Sequence, residues 1–405
     1  MIENFKVDGF KSLKNFEISF TKGINVLVGP NGVGKTNICQ ALSLLSSLSS
    51  STLYEAFTQY GGVGSTFNAV NTDEERSIKL EARGRVKGKL GDDQYDLKYI
   101  YSINLSVGEE LFITEEKVEI SRKGPKKAYR KVLRIIQKDN EIDAKVLSKD
   151  LLGDFKIIKK GQKTLTIELG EERENNESFL PLMSKLFFVC HLVSSDFNKI
   201  KSINIDPNIA RLSCDITEPN EMLGNGRYLA NTLHFMNKRS EYLSEINLLL
   251  EQILPNYQQI SPEISDISYK RYFALKDSYG NKFPSNTLSD GTVKILALLV
   301  GVVKQKQNTT IIEEPENYLH PYANTLLINY LRDTFNDGIC ILTSHSETIL
   351  NLLNPEELII CELKEAFTNC RRLDNIEEIK EVIADSGFGC GYHYIAGNLG
   401  GVPIF

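Results

Sequence analysis

Short β-branched runs bounded by glycine alternate along this chain with stretches of helical periodicity, and the two patterns divide it into recognisable parts. Phe5 to Val7 and Asn15 to Phe20 read as strands. Ile24-Asn25-Val26-Leu27-Val28, short, mostly apolar and set between glycines, reads as a buried central strand. After the glycine-rich turn that comes next, Ile38, Leu42 and Leu45 recur at i, i+4, i+7, which is one face of a helix. From about Ser77 to Leu169 the runs are short and alternating (YDLKYIYSINLSV, KTLTIEL), the signature of antiparallel strands with one wet face. From about Ser178 to Pro255 the pattern becomes helical, and Leu243, Ile246, Leu250 and Ile253 line one side of a helix over Glu241 to Leu254 that stops before Pro255. No a/d heptads are sustained there, so a long coiled-coil arm is not expected. The last third returns to apolar strands separated by helices: Ile267 to Leu275, Thr309 to Ile312, Ile339 to Thr343 and Leu358 to Cys361. Such alternation predicts a mostly parallel α/β sheet.

Composition adds bounds. With 405 residues, 41% hydrophobic and 25% charged, the chain resembles an ordinary globular protein that needs no staples. Its seven cysteines are odd in number and show no C-x-x-C spacing, which suits reduced thiols better than disulfides or zinc. The N-terminus lacks the apolar core of a signal peptide and no stretch is long and apolar enough to cross a bilayer, so the expected location is cytoplasmic, away from membranes. A net charge of −6 argues against coating of nucleic acid along the whole surface. One basic cluster stands out: Arg122, Lys123, Lys126, Lys127, Arg130, Lys131 and Arg134, with no acid among them. It reads first as a solvated hairpin and second as a DNA contact tracking phosphates.

Candidate chemistry begins at Gly29-Pro30-Asn31-Gly32-Val33-Gly34-Lys35-Thr36, a full G-x-x-x-x-G-K-[ST] between a predicted strand and a predicted helix. Glycines let successive N–H groups curve around phosphates, and the helix N-terminus adds its positive end. Lys35 would reach the β and γ phosphates, and the Thr36 hydroxyl would ligate Mg²⁺. Further along, Leu288-Ser289-Asp290-Gly291-Thr292 opens an apolar helix. Alone it could be a simple serine N-cap. It is succeeded, however, by the apolar run Thr309-Thr310-Ile311-Ile312 ending in Glu313-Glu314-Pro315, and then by Ile341-Leu342-Thr343-Ser344-His345-Ser346.

These four motifs together resemble the ABC-type ATPases of the SMC, RecF and OLD group. LSDGT matches that group's signature, IIEEPE its Walker B motif and ILTSHS its switch-histidine strand. FKSLKNFEISFTKGINVLVGPNGVGKTN is similar to the group's opening, with Asn37 after the P-loop threonine. The likeness is strong over roughly the first 40 residues and from about 286 to 347. It implies an α/β fold: an ABC ATPase head with a mostly parallel P-loop sheet, an antiparallel β subdomain and a helical insertion, divided near 1–175, 176–262 and 263–405.

The resemblance also implies an ATPase using ATP and Mg²⁺. Asn31, Gly32, Val33, Gly34, Lys35, Thr36 and Asn37 would hold the nucleotide. Thr36 and Glu313 would hold the metal, although the commonest ABC pattern has Asp where Glu313 stands. Glu314 would polarise the attacking water, and His345 would contact the γ-phosphate. Ser289 and Gly291 would act on ATP held by Lys35 of a second copy, so a homodimer or higher homo-oligomer is implied. Gln59 is a candidate for the Q-loop. His320 is expected at the dimer interface, and the pairs Cys190-His191 and Cys390 with His393 are read as packing.

A transporter subunit would be shorter, and an OLD-type nuclease would carry a TOPRIM domain after the switch histidine. No D-x-D acid cluster follows His345. Two readings remain: a sensor or switch of a bacterial anti-phage defence module whose effector protein, such as a nuclease, is encoded separately, and a RecF-like DNA-repair ATPase. The tail Gly397-Asn398-Leu399-Gly400-Gly401-Val402-Pro403 is similar to the closing segment of some OLD-like members and is expected to pack on the head or a partner.

Overall fold

The computed structural model describes residues 1–68, 76–90, 93–124, 128–138, 141–147, 164–168, 177–238 and 240–401. Three strands open the chain: β1 (Ile2–Asp8), β2 (Phe16–Ser19) and β3 (Gly23–Val28). The alternating stretch folds as β4 (Arg76–Leu90), β5 (Asp93–Val107), β6 (Leu111–Lys123), β7 (Tyr129–Lys138), β8 (Glu141–Val146) and β9 (Thr164–Glu168). Contacts group the chain into two compact units.

The first unit comprises Met1–Thr21, Gly32–Ile200 and Cys361–Arg371. Its antiparallel sheet runs β2-β1-β4-β5-β6-β7-β8-β9. Burial alternates along β4 and β5, as a period of two requires of a sheet with one covered face. The helix Lys35–Leu48 belongs to this unit, as does the helix Phe188–Asn198. Phe197 packs its ring against Tyr99 and Tyr101, at centroid distances of 5.6 and 5.1 Å, and its carbonyl accepts from Ser46 at 2.8 Å.

The second unit comprises Lys22–Asn31, Lys201–Ile360 and Arg372–Phe405. Its later strands are β10 (Lys201–Ile203), β11 (Cys214–Asp215), β12 (Gln259–Ile264), β13 (Lys270–Lys276), β14 (Lys282–Pro284), β15 (Thr309–Glu313) and β16 (Ile339–Ser344). β17 (Leu358–Lys364) starts here and past Ile360 continues in the first unit, where it turns back as β18 (Phe367–Arg372). The parallel order β10-β15-β16-β3-β17 makes β3 a central strand, as its apolar run predicts. The helix Asp290–Val302 is buried almost throughout, and with Leu327, Leu331 and Leu342 it builds one core.

The structure departs from the sequence pattern in two places. The stretch expected to be helical throughout holds β10, which pairs with β15 in the parallel sheet, and the short β11. The strand expected from Ile267 starts only at Lys270. Tyr269 takes a left-handed φ of 52°, its N–H donates to the Ser265 carbonyl, and Ile267 is left 95% exposed at the tip of the hairpin. Local turn bonding therefore outweighs the apolar character of Ile267.

A fully buried carboxyl, Glu116 on β6, anchors the start of the helix Leu180–Leu186. It accepts from Tyr101 Oη at 2.8 Å, Ser178 Oγ at 2.6 Å and the Phe179 N–H at 2.7 Å. Burial pushes the group up to about 7, against the opposing pull of the Ser178, Phe179 and Tyr101 hydrogen bonds. The folded protein thus keeps this proton up to about pH 7, while the unfolded chain releases it near the ordinary 4.5. Fewer protons are bound by the unfolded state across that window, so the Glu116 contribution to stability falls as pH rises through it. Melting curves of wild type and Glu116→Gln should show the variant gaining on wild type between about pH 4.5 and 7. A constant difference across that range would contradict this account.

Candidate nucleotide site

Three parallel strands of the second unit end level with one another. Glu313 of β15 lies beside Thr343 of β16, Thr343 lies beside Leu27 of β3, and Ser344 lies beside Val28. The segments leaving their C-terminal ends therefore start from one edge: Gly29-Pro30-Asn31 from β3, Glu314 from β15 and His345 from β16. The C-terminal edge of a parallel sheet is where α/β folds place ligands.

Glu314 occupies the left-handed region, at φ 43°, immediately after β15. Its N–H faces Thr343, at 3.1 Å from the carbonyl and 3.2 Å from the hydroxyl. One carboxylate oxygen accepts from Asn317 at 2.7 Å, and the other lies 3.8 Å from Nδ1 of His345. Both side chains are close to half exposed. Glu316 accepts at its Oε1 from the Ser344 hydroxyl at 2.6 Å, and that hydroxyl also accepts from the N–H of Ser346. The loop between β15 and the next helix is thus tied to β16 through Thr343 and Ser344.

Ser289 is the N-cap of the helix Asp290–Val302, its hydroxyl accepting from the Thr292 N–H at 3.2 Å. Arg211 braces this loop, donating to the Leu288 carbonyl at 3.1 Å and pairing with the Asp290 carboxylate. Gly291 packs against the main chain at Tyr318, where a Cβ would lie 2.4 Å from the carbonyl oxygen. Each of these two signature residues therefore has a duty within its own chain.

In the first unit, the helix Lys35–Leu48 begins at Gly34, whose φ of 96° excludes most other residues. That N-terminus has no side-chain cap and no acid in its first turn, which leaves its positive end suited to an anion. Lys35 is buried and Thr36 exposed. Thr368 of β18 donates to the Val33 carbonyl at 2.8 Å and meets the Ser12 hydroxyl at 2.6 Å. Asn37 directs an amide N–H to the same Ser12 at 2.7 Å, inside the fold. Ser12 and Thr368 are supports that the motifs did not reveal, since they come from opposite ends of the chain.

The family model of the AAA ATPase domain matches residues 1–350. The chain belongs to the AAA ATPase domain family. Among its relatives, a Rad50 ATPase of DNA double-strand break repair from Methanopyrus kandleri is 52% identical over 44 residues, 11% of this chain and 5% of the relative. The chain thus spans a small fraction of that relative's length. An ATP/GTP phosphatase of Helicobacter pylori is 22% identical over 369 residues, covering 87% of this chain and 88% of the relative. The Septu protein PtuA of Bacillus thuringiensis is 36% identical over 47 residues, 12% of each. The solved SmcHead bound to the C-winged helix domain of ScpA shares the fold, with a TM-score of 0.54 at 12% identity, covering 94% of this chain and 99% of that one. The fold is accordingly that of an SMC/RecF-like ABC-type ATPase head.

Among the described residues of this AAA ATPase domain, no cluster of three His, Cys, Asp or Glu could hold a metal unaided. In the second unit Glu313 ends β15, and in the first unit Thr36 is exposed; a carboxylate and a hydroxyl are each an oxygen donor of the kind that suits Mg²⁺. Gln59 is exposed and ends the short helix Leu53–Thr58. His320 caps the helix Pro321–Thr334, its Nδ1 accepting from the Tyr322 N–H. His393 is buried beside Ser386 and Asn398, and all seven cysteines are free thiols. The tail adds Leu399 to the second unit's core, while Val402 and Pro403 lie outside the described residues.

Of the basic cluster, Lys126 and Lys127 lie outside the described residues. Lys131 and Arg134 pair with Glu119, Lys123 with Asp96, and Arg122 stacks over Tyr95 at 4.3 Å. Arg130 lines a groove with Lys87 and Lys89. Among the described residues no helix is long and apolar enough to cross a membrane.

Two substitutions separate the local duties of the signature residues. Gly291→Ala should lower stability by about 1–3 kcal/mol through overpacking. Ser289→Ala should lower it by about 0.5–2 kcal/mol through loss of the cap. Urea unfolding measures both, and a neutral Gly291→Ala would refute the close approach to Tyr318.

Proposed function

We propose that this chain hydrolyses ATP in composite sites formed when two copies meet. The observation that carries the reading is the Glu314 carboxylate, held by Asn317 and facing His345 at the C-terminal edge where the P-loop strand also ends. In this reading Asn31 to Thr36 wrap the phosphates, with Lys35 on the β and γ groups and Asn37 supporting the loop through Ser12. Thr36 and Glu313 would offer oxygens to Mg²⁺, which would supply positive charge to the phosphoryl oxygens. Glu314 orients and polarises the attacking water, and His345 contacts the γ-phosphate. Ser289 and Gly291 of a second copy close over that nucleotide, so ATP holds the copies together and hydrolysis releases them.

The finer reading is a switch in an anti-phage defence module, whose output passes to a separately encoded effector. Support comes from the partial similarity to Septu PtuA. The pairing of Lys123, Lys131 and Arg134 with acids also reduces the charge available for tracking DNA, which weighs against the repair alternative.

Glu314→Gln should bind ATP with near wild-type affinity and hydrolyse it at least about 100-fold more slowly, accumulating as an ATP-bound dimer on size exclusion. Mixing Lys35→Ala with Ser289→Arg should restore one working site per dimer. Hydrolysis unaffected by Glu314→Gln would refute the assignment of the base. For the defence reading, phage plating on cells carrying the gene with its neighbours should lose protection with Glu314→Gln. DNA-stimulated, salt-sensitive hydrolysis without protection would favour repair instead.

A further inference from the structure

One charged residue interrupts the buried run of the signature helix. Lys294 stands between Val293 and Ile295, and it is only 2% exposed. An ammonium at that depth is costly unless its donors are met. Nζ donates to the main-chain carbonyl of Glu314 at 2.8 Å and lies 5.7 Å from the centre of the Tyr318 ring. Burial pulls this lysine below its usual range, while the charges of Glu316 and Glu314 pull it back up.

The bond falls on a residue whose backbone is held in an unfavourable conformation. Glu314 is left-handed, a conformation unfavourable for a residue with a Cβ and one that persists only when its surroundings enforce it. Thr343 holds the N–H of this residue, Asn317 holds its carboxylate, and Lys294 holds its carbonyl. The three come from β16, from the loop itself and from the signature helix. Only Lys294 brings in the helix whose N-cap is Ser289.

We propose that Lys294 is a positioning residue for hydrolysis, which ties the signature helix to the Glu314 peptide and so sets the aim of that carboxylate. The proposal rests on the reading of Glu314 as the base. In its terms, a helix that closes on the second copy's nucleotide also orients the base of its own copy, and the two sites of a dimer are coupled through a lysine in each subunit.

The test uses steady-state ATP hydrolysis by the full chain. Lys294→Met keeps the aliphatic stem and removes the donor, and Lys294→Arg restores a charged donor. The expected result for Lys294→Met is a fall in kcat of about 10-fold or more, with KM for ATP within about twofold of wild type. Its melting temperature should lie within about 3 °C of wild type, and Lys294→Arg should recover part of the rate. Added to Glu314→Gln, Lys294→Met should cost little more, because both act on one carboxylate.

A kcat within twofold of wild type in Lys294→Met overturns the proposal, as does a full multiplicative loss on top of Glu314→Gln. If the Met variant does not fold, Lys294→Gln is judged by the same criteria. Wild type that fails to hydrolyse ATP removes the reading of Glu314 and this proposal with it. Brisk wild-type turnover that is lost in Glu314→Gln but kept in Lys294→Met removes the proposal alone.

Discussion

The parallel register joining β15, β16 and β3 is the constraint on which the rest of the second unit depends. All three strands are buried on both faces, so a slip by one residue would exchange the side chains packed above and below the sheet and spoil both packed layers. Ile312, Leu342 and Val26 lie side by side in that register, each of them fully buried. Once it is set, Glu313 falls beside Thr343 and Ser344 beside Val28. Polar groups that are distant in sequence then share one edge.

Beyond the strand ends, a short polar lattice holds the chain more than burial does. Glu314 and Tyr318 both take left-handed φ, at 43° and 70°, within a loop of a few residues. Hydrogen bonds donated to Thr343 and accepted from Asn317 and Ser344 restrain it, and Gly291 gives Tyr318 room to approach. The signature loop is fixed in a similar way, by Arg211 on Leu288 and Asp290. A segment built of such bonds can change state when one partner moves, which a close-packed core cannot do as readily.

The first unit shows the same division between core and lattice. Phe197 against Tyr99 and Tyr101 supplies apolar packing, while Glu116 supplies a buried hydrogen-bonding anchor for a helix start. The turn at Gly34 is supported by Thr368 and Ser12, hydroxyl groups brought together from the far ends of the chain.

Much of this architecture is legible in the chain itself. β3, β15 and β16 begin or end within a residue or two of their apolar runs, and the P-loop helix and the helix Asp290–Val302 lie where their patterns put them. Period and apolarity are local properties, so one chain segment suffices to read them. Motif spacing likewise marks Lys35, Ser289, Glu313, Glu314 and His345 as candidates. It cannot mark Asn317 as the holder of Glu314, Thr368 as the support of Val33, or Arg211 as the brace of the signature loop. Nor can it place β10 in the parallel sheet or Tyr269 in a turn. Those outcomes depend on partners brought close only by folding, and a hydrogen bond or a steric approach exists only between groups whose distance the tertiary structure sets.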